Sequence, residues 1–281
     1  MRGLNHLVLT GHDLDRMRAA YESLGFTLTP RGQHPFGTDN AVIQLHGCYL
    51  ELLAVVRPED VPEHGASRFS FAAFNRDYVA RHEGFAMLVF DTPDARADIE
   101  AWQEAGLKTY EPFDFQRAAK TPDGGEITVG FSLAFTRAPE APWIGLFACQ
   151  HNRPDYYEQA RYLTHKNTAQ SVREVWISGD GALGLCDFMI KLTGLEARNE
   201  GSDRIVFATR TGDLVLARPQ AFAAAFGEAP PHPGDGPHLA GLTIGCRDPG
   251  PLAACGLQKI ADRFVLPAGR NFGTALAFSH A

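Results

Sequence analysis

The chain has 281 residues, 44% hydrophobic and 21% charged, with a formal net charge of -7 and a pI near 5.9. Such a composition excludes a disordered or fibrous chain, and the acidic balance removes the electrostatic footprint expected of a partner to nucleic acid or an anionic membrane. The length exceeds an ordinary domain of roughly 100 to 200 residues, so two domains or a set of repeated units is expected.

In chain order, LNHLVLT (4–10) reads as a strand. Asp13 caps a helix whose stripe is Leu14, Met17, Tyr21 and Leu24, and Gly25 stops it. Strand-like runs follow at Phe26 to Thr29, Ala41 to His46 and Cys48 to Val56, giving the order βαβββ. Arg57 to His82, rich in proline, charge and aromatics, reads as a connection outside the sheet. The pattern then restarts with GFAMLVF. A helix capped by Thr92 or Asp94 ends at Gly106, and LKTYEPFDFQ, a TPDGG turn, EITVGFSLAF and WIGLFACQ complete a second unit.

A second connection spans His151 to Gln170. The third unit runs from VREVWISGD through a helix ending at Gly194 to RIVFATR and DLVLARP. After a proline-rich break (229–238), a fourth, abbreviated unit runs from LAGLTIGCRD through PLAACG to FGTALAF. The interval from first strand to helix-ending glycine recurs at near-equal length: Leu4 to Gly25, Gly84 to Gly106, Val172 to Gly194 and His238 to Gly256. The expected fold is α+β, four βαβββ units in two pairs, with domains at 1–160 and 161–281.

Within the strand Cys48 to Val56, Leu50, Leu52 and Ala54 fall on one face and Tyr49, Glu51 and Leu53 on the other. A carboxylate amid apolar residues needs a partner, a metal or a water-filled cavity, unless the strand lies at an edge with Glu51 in solvent. The five cysteines lack CxxC spacing and read as buried free thiols. The N-terminal apolar segment is too short for a signal peptide, and no apolar run approaches a membrane span, so a cytoplasmic location is expected.

Four glycine-terminated units of this kind resemble the vicinal oxygen chelate superfamily, and within it the glyoxalase-like branch. NHLVLTGHDLD, HPFGTDN, YLELL, CQH, Pro154 and HKNTA carry the resemblance, which covers essentially the whole chain. It implies sheets curled into a cup and one divalent metal ion (Zn, Ni, Mn or Fe) held by residues of the first and fourth strands. His6 and Glu51 occupy those positions in the first unit. In the second unit Phe85 and the stretch Leu146 to Ala148 occupy them and cannot ligate; His151 stands as the substitute ligand, with Gln150, Cys149 and His82 nearby. Imidazole and carboxylate suit such ions, and a catalytic ion keeps positions open for substrate oxygens.

Glu51 is the expected catalytic residue, and His34, Thr38, Asn40, Phe85 and Gln150 are expected to face a small-molecule substrate. For each, a plainer structural reading competes: a hydrogen-bonded strand histidine, a tight turn, a capping glutamine, a core phenylalanine. His165 and Asn167 suit a cross-link between unit pairs, and Arg153, Arg161 and Arg173 are weighed as carboxylate holders. The leading expectation is a metal-dependent lyase or isomerase acting on a small oxygenated metabolite. A metal-free binding protein and an Fe(II) ring-cleaving dioxygenase are the alternatives. Nothing in the residues decides between a monomer and a homodimer.

Overall fold

In the computed structural model, which describes residues 1–120, 125–153 and 158–281, the four units build two eight-stranded sheets. The first unit comprises β1 (Leu4–Thr10), α1 (Leu14–Ser23), β2 (Gly32–Gln33), β3 (Thr38–Leu45) and β4 (Cys48–Val55). A connecting helix, α2 (Phe71–Val79), precedes the second unit: β5 (Gly84–Asp91), α3 (Ala95–Glu104), β6 (Phe113–Lys120), β7 (Glu126–Thr136) and β8 (Gly145–His151). The third comprises β9 (Ala169–Ser178), α4 (Cys186–Thr193), β10 (Arg198–Glu200), β11 (Arg204–Thr209) and β12 (Gly212–Ala217). Another connecting helix, α5 (Pro219–Phe226), leads to β13 (His238–Cys246), β14 (Gln258–Ile260), β15 (Arg263–Leu266) and β16 (Ala275–His280). The fourth unit has only a 3-10 turn, Gly250–Cys255, where the others have an α-helix.

The strand orders are β2-β3-β4-β1-β5-β8-β7-β6 and β10-β11-β12-β9-β13-β16-β15-β14. Each first strand lies parallel to the fourth strand of its own unit, and the two first strands of a sheet pair antiparallel at its centre. The units therefore pair one with two and three with four.

The local signals explain the elements. Asp13 accepts from the amides of Asp15 and Arg16, and Asp94 from those of Arg96 and Ala97, satisfying the first-turn donors of α1 and α3. The four repeated glycines, Gly25, Gly106, Gly194 and Gly256, all have φ between +67° and +88°, where a Cβ is penalised. Alternation then sorts the strands: Leu50 and Leu52 join a helix-side core with Leu7, Leu9, Val175 and Leu242, whereas Val8, Leu53 and Phe147 face a concave surface. Phe71, Phe74 and Tyr78 of α2 pack into that first cup; Phe222 and Phe226 of α5 pack over Trp176 in the second.

Four expectations need amendment. Phe26 to Thr29 forms no regular strand; Thr29 keeps one amide bond to the Val42 carbonyl, and the short β2 begins at Gly32. Both connecting helices went unread, although Phe71, Phe74 and Tyr78 recur at helical spacing behind the cap Ser70, whose hydroxyl accepts from the Ala73 amide. Phe85 does not face the cup. The β1–β5 ladder shifts register between Val8–Met87 and Leu9–Phe85, so Ala86 is an extra residue; Ala86 and Met87 both face the cup while Phe85 turns into the helix-side core. Gln150 also points away: its Oε1 accepts from the Ala95 amide at the start of α3. Pro154 and residues 121–124 of the TPDGG turn lie outside the described residues.

Candidate active site

The first cup holds a small cavity of about 50 Å³ that opens in part to solvent. Phe36, Phe71, Phe115, Phe131, Phe147 and Leu133 make its walls; His6, His34, Asn40, Tyr49 and Glu51 supply its polar surface; Arg117 and Cys149 complete the lining. An apolar pocket with a few convergent polar groups is the usual form of a small-molecule site.

The sheet order brings the key pair together. β1 and β4 are adjacent and parallel, with Val8 opposite Glu51 and His6 opposite Tyr49, so His6 and Glu51 lie diagonally on the concave face. His6 Nε2 stands 3.6 Å from Glu51 Oε2. On the other oxygen, Asn40 Nδ2 donates to Glu51 Oε1 at 2.5 Å, and His34 Nε2 lies 3.9 Å away. The carboxyl is thus held between two imidazoles and an amide, 6% exposed.

Supporting contacts orient both histidines. His6 Nδ1 donates to Asn5 Oδ1 at 2.7 Å, which leaves the Nε2 lone pair facing Glu51, and the ring stacks on Tyr49 with centroids 4.6 Å apart. The Tyr49 hydroxyl donates to the same Asn5 oxygen at 3.0 Å and lies 3.3 Å from His151 Nε2. His34 Nδ1 meets the Thr38 hydroxyl at 2.9 Å, and its ring stacks on Phe36. Thr38 therefore sits behind His34 and holds it.

Burial dominates the electrostatics. It pushes the Glu51 carboxyl up to about 7, with the Asn40 hydrogen bond and Arg117 pulling back. The same desolvation, reinforced by His151 and His34, holds His6 well below its ordinary value. His34 falls to about 3 and His151 to about 4, each through burial first and Arg117 second. Burial also raises the Cys149 thiol, which is no nucleophile at neutral pH. His6 and Glu51 are therefore a neutral imidazole facing a carboxyl that ionises near neutrality, rather than a fixed ion pair.

The donor set does not suit a resident divalent ion. Opposite His6 and Glu51, the second unit presents Val89 and Phe147, which pair with each other across β5 and β8 and carry no lone pair. His151 turns to Tyr49 and Asn5. Among the described residues no group of three or more His, Cys, Asp or Glu side chains is arranged to hold an ion. Divalent sites of this kind draw on three or four protein ligands, so His6 and Glu51 by themselves do not complete one.

The remaining candidates lie elsewhere. His165 bonds the Thr27 amide and the Gln44 carbonyl, and Asn167 the Leu24 carbonyl, tying the second connection to the first unit. His82 contacts Asp235 at 2.6 Å. Arg161 lies over Tyr162, Arg173 donates to the His280 carbonyl, and Arg153 does not line the cavity. Sequence reasoning passed over Asn5, Tyr49 and Arg117. Tyr49 shares the Glu51 face of β4, and Arg117 shares the Phe113 and Phe115 face of β6, so two-residue alternation was the available signal.

A family model of the glyoxalase-like domain matches residues 4–182. No curated protein matches the sequence. Among solved structures, a hypothetical protein from Staphylococcus aureus superposes with a TM-score of 0.72 at 15% identity, covering 100% of both chains. A triple mutant of 4-hydroxymandelate synthase from Streptomyces coelicolor gives 0.58 at 12% identity, over 98% of this chain and 91% of that one. A xylose isomerase-like TIM barrel/4-hydroxyphenylpyruvate dioxygenase fusion protein gives 0.57 at 13% identity, over 91% of this chain but 39% of its own. Among the described residues no helix is long and apolar enough to cross a membrane. With the matched region spanning most of the chain and the paired βαβββ sheets in place, the protein belongs to the glyoxalase-like domain family, within the vicinal oxygen chelate fold.

Proposed function

We propose that the first cup is the active site of an enzyme that moves a proton on a small oxygenated molecule, with Glu51 taking and returning it. The supporting observation is a buried carboxyl at an aromatic cavity, raised to about 7 and so able to act as base and then acid near neutral pH. Asn40 fixes Oε1, and Oε2 is turned toward His6. A carbon–hydrogen bond beside a carbonyl yields its proton to Glu51; the C–H electrons form a double bond to the carbonyl carbon as the carbonyl π pair moves onto its oxygen. Where the deprotonated carbon carries a hydroxyl, transfer of that hydroxyl's proton to the old carbonyl oxygen and return of the first proton to the old carbonyl carbon give isomerisation. Where the next carbon on the far side carries a leaving group, re-formation of the carbonyl expels it with its electron pair and gives elimination. The phenylalanine walls limit the water that would quench the intermediate.

The 3.6 Å approach of His6 to Glu51 favours one second reading, in which these two residues hold a divalent ion with a ligand not supplied by the described residues. The dioxygenase alternative has less support, because His151 faces Tyr49 and Asn5 instead of converging with His6 and Glu51. The two relatives with aromatic names share the fold at 12% and 13% identity, which does not transfer chemistry.

The test is deuterium wash-in from heavy water, followed by NMR, on a panel of small 2-oxo acids and hydroxyketones with wild type, Glu51→Gln and chelator-treated protein. Exchange that survives chelation and disappears in Glu51→Gln is expected. Exchange persisting in Glu51→Gln would sink the proposal, and exchange appearing only after Zn, Ni, Mn or Fe(II) is added would favour the metal reading.

A further inference from the structure

We propose that Arg117 grips a carboxylate, so that the cup selects small monoanionic acids with an aromatic or branched apolar body. This rests on the reading of the first cup as the ligand site and adds the ligand's class to it.

Along β6, Phe113, Phe115 and Arg117 are partly buried while Asp114, Gln116 and Ala118 are exposed, so the strand turns its aromatic face and one guanidinium to the cup. Arg117 lines the cavity with Phe115 and Phe131, its guanidinium carbon 5.9 Å from the Phe131 ring centre. It reaches across toward β2, where Nη1 lies 3.9 Å from the position a Cβ on Gly32 would take. That distance is ordinary van der Waals contact, whereas the same Cβ would stand 2.5 Å from Asn40 Oδ1, so a side chain at residue 32 would displace Asn40 rather than Arg117.

Among the described residues Arg117 forms no ion pair. The nearby carboxylate that could have taken it, Asp39, is already held by Arg31 at 2.7 Å and Arg57 at 2.9 Å. Glu51 is engaged by Asn40. The positive charge is nevertheless felt in the cavity, since Arg117 helps depress His34 and His151 and lowers Glu51. A partly buried guanidinium beside an aromatic slot, without a protein anion, is a preformed seat for a forked carboxylate contact. Phe36, Phe71, Phe115, Phe131 and Phe147 line the same cavity as Arg117 and Glu51, so its walls suit an apolar body. One anionic end and a reactive oxygen-bearing end therefore define the ligand.

Phenylacetate and its neutral isostere phenylacetamide are the probes, titrated calorimetrically and by NMR of the His6 and His34 ring signals into wild type, Arg117→Gln and Arg117→Lys. Phenylacetate is expected to bind at least about tenfold more tightly than the amide in wild type, from the strength of charge-assisted hydrogen bonds. Arg117→Gln should abolish that preference while circular dichroism is unchanged, and Arg117→Lys should restore part of it. Equal binding of acid and amide, unaltered in Arg117→Gln, would overturn the role of Arg117 and leave the cup reading standing. Binding that leaves both histidine signals unmoved would place the probes outside the cup and refute both readings. Failure of both probes to bind overturns the ligand class.

Discussion

Glu51→Gln should make the protein more stable, by an amount that grows with pH. The carboxyl ionises at about 7 in the folded chain, against 4.5 for the ordinary side chain. Below pH 4.5 both states are protonated and burial of the group carries no titration penalty. Between 4.5 and 7 the unfolded chain loses its proton first, and native stability falls by about 1.4 kcal/mol per pH unit. Above 7 the cost is constant at about 3 kcal/mol, and a neutral amide escapes it. The substituted side chain fits the contacts: its oxygen accepts from Asn40, and its amide donates to the His6 Nε2 lone pair. Urea unfolding by circular dichroism should show equal midpoints near pH 4.5, and by pH 8 a midpoint for the variant higher by about 1 M, for an m-value of about 3 kcal/mol/M. A variant less stable than wild type at pH 8 would show that Glu51 is an ionised partner of a charged histidine, and the reasoning would fail.

The histidines act in the opposite direction. His6, His34 and His151 are held neutral, so stability is complete above pH 6.5 and declines as the pH falls toward the folded values of about 4 for His151 and about 3 for His34. Replacing His34 with Gln should flatten that acid decline, and an unchanged slope would contradict the assignment. Asn40→Ala removes the donor that lowers Glu51, so the carboxyl midpoint should move above 7, measured by NMR of the labelled side chain; a downward move would be inconsistent. Gly37→Ala should cost about 2 kcal/mol or more, since φ is +86° and the added Cβ would sit 2.4 Å from the Arg57 carbonyl oxygen. Thermal unfolding would test it, with an unchanged midpoint counting against it.

The parts of this architecture that local rules govern were legible. A helix that must stop and reverse needs a left-handed residue, so Gly25, Gly106, Gly194 and Gly256 announced four units before any tertiary contact was considered. Two-residue alternation put Tyr49 and Glu51 on one face of β4, and the unit order put His6 beside them. Phe85 was misplaced because a single extra residue, Ala86, reverses the facing of everything before it, and nothing in GFAMLVF signals that bulge. Gln150 was misplaced because it follows Cys149, and neighbours on a strand face opposite ways; the residue that bonds α3 cannot also line the cup. The role of α2 was illegible for a different reason: its aromatic stripe is visible, but its closure over the cup depends on how far the sheet curls. Arg117 belongs with it, since a cation on a strand reads as solvated until the fold shows that, among the described residues, it forms no ion pair.

The central claim is that Glu51 is a buried carboxyl poised to exchange a proton near neutrality. Its most direct test is a pH titration of the protein labelled with carbon-13 at the glutamate carboxyl, with Glu51→Gln used to assign the signal. A midpoint near 7 is expected for Glu51, moved upward in Asn40→Ala. A midpoint at or below the ordinary 4.5 would mean that the site stabilises a permanent carboxylate, and the proton-transfer account would be wrong.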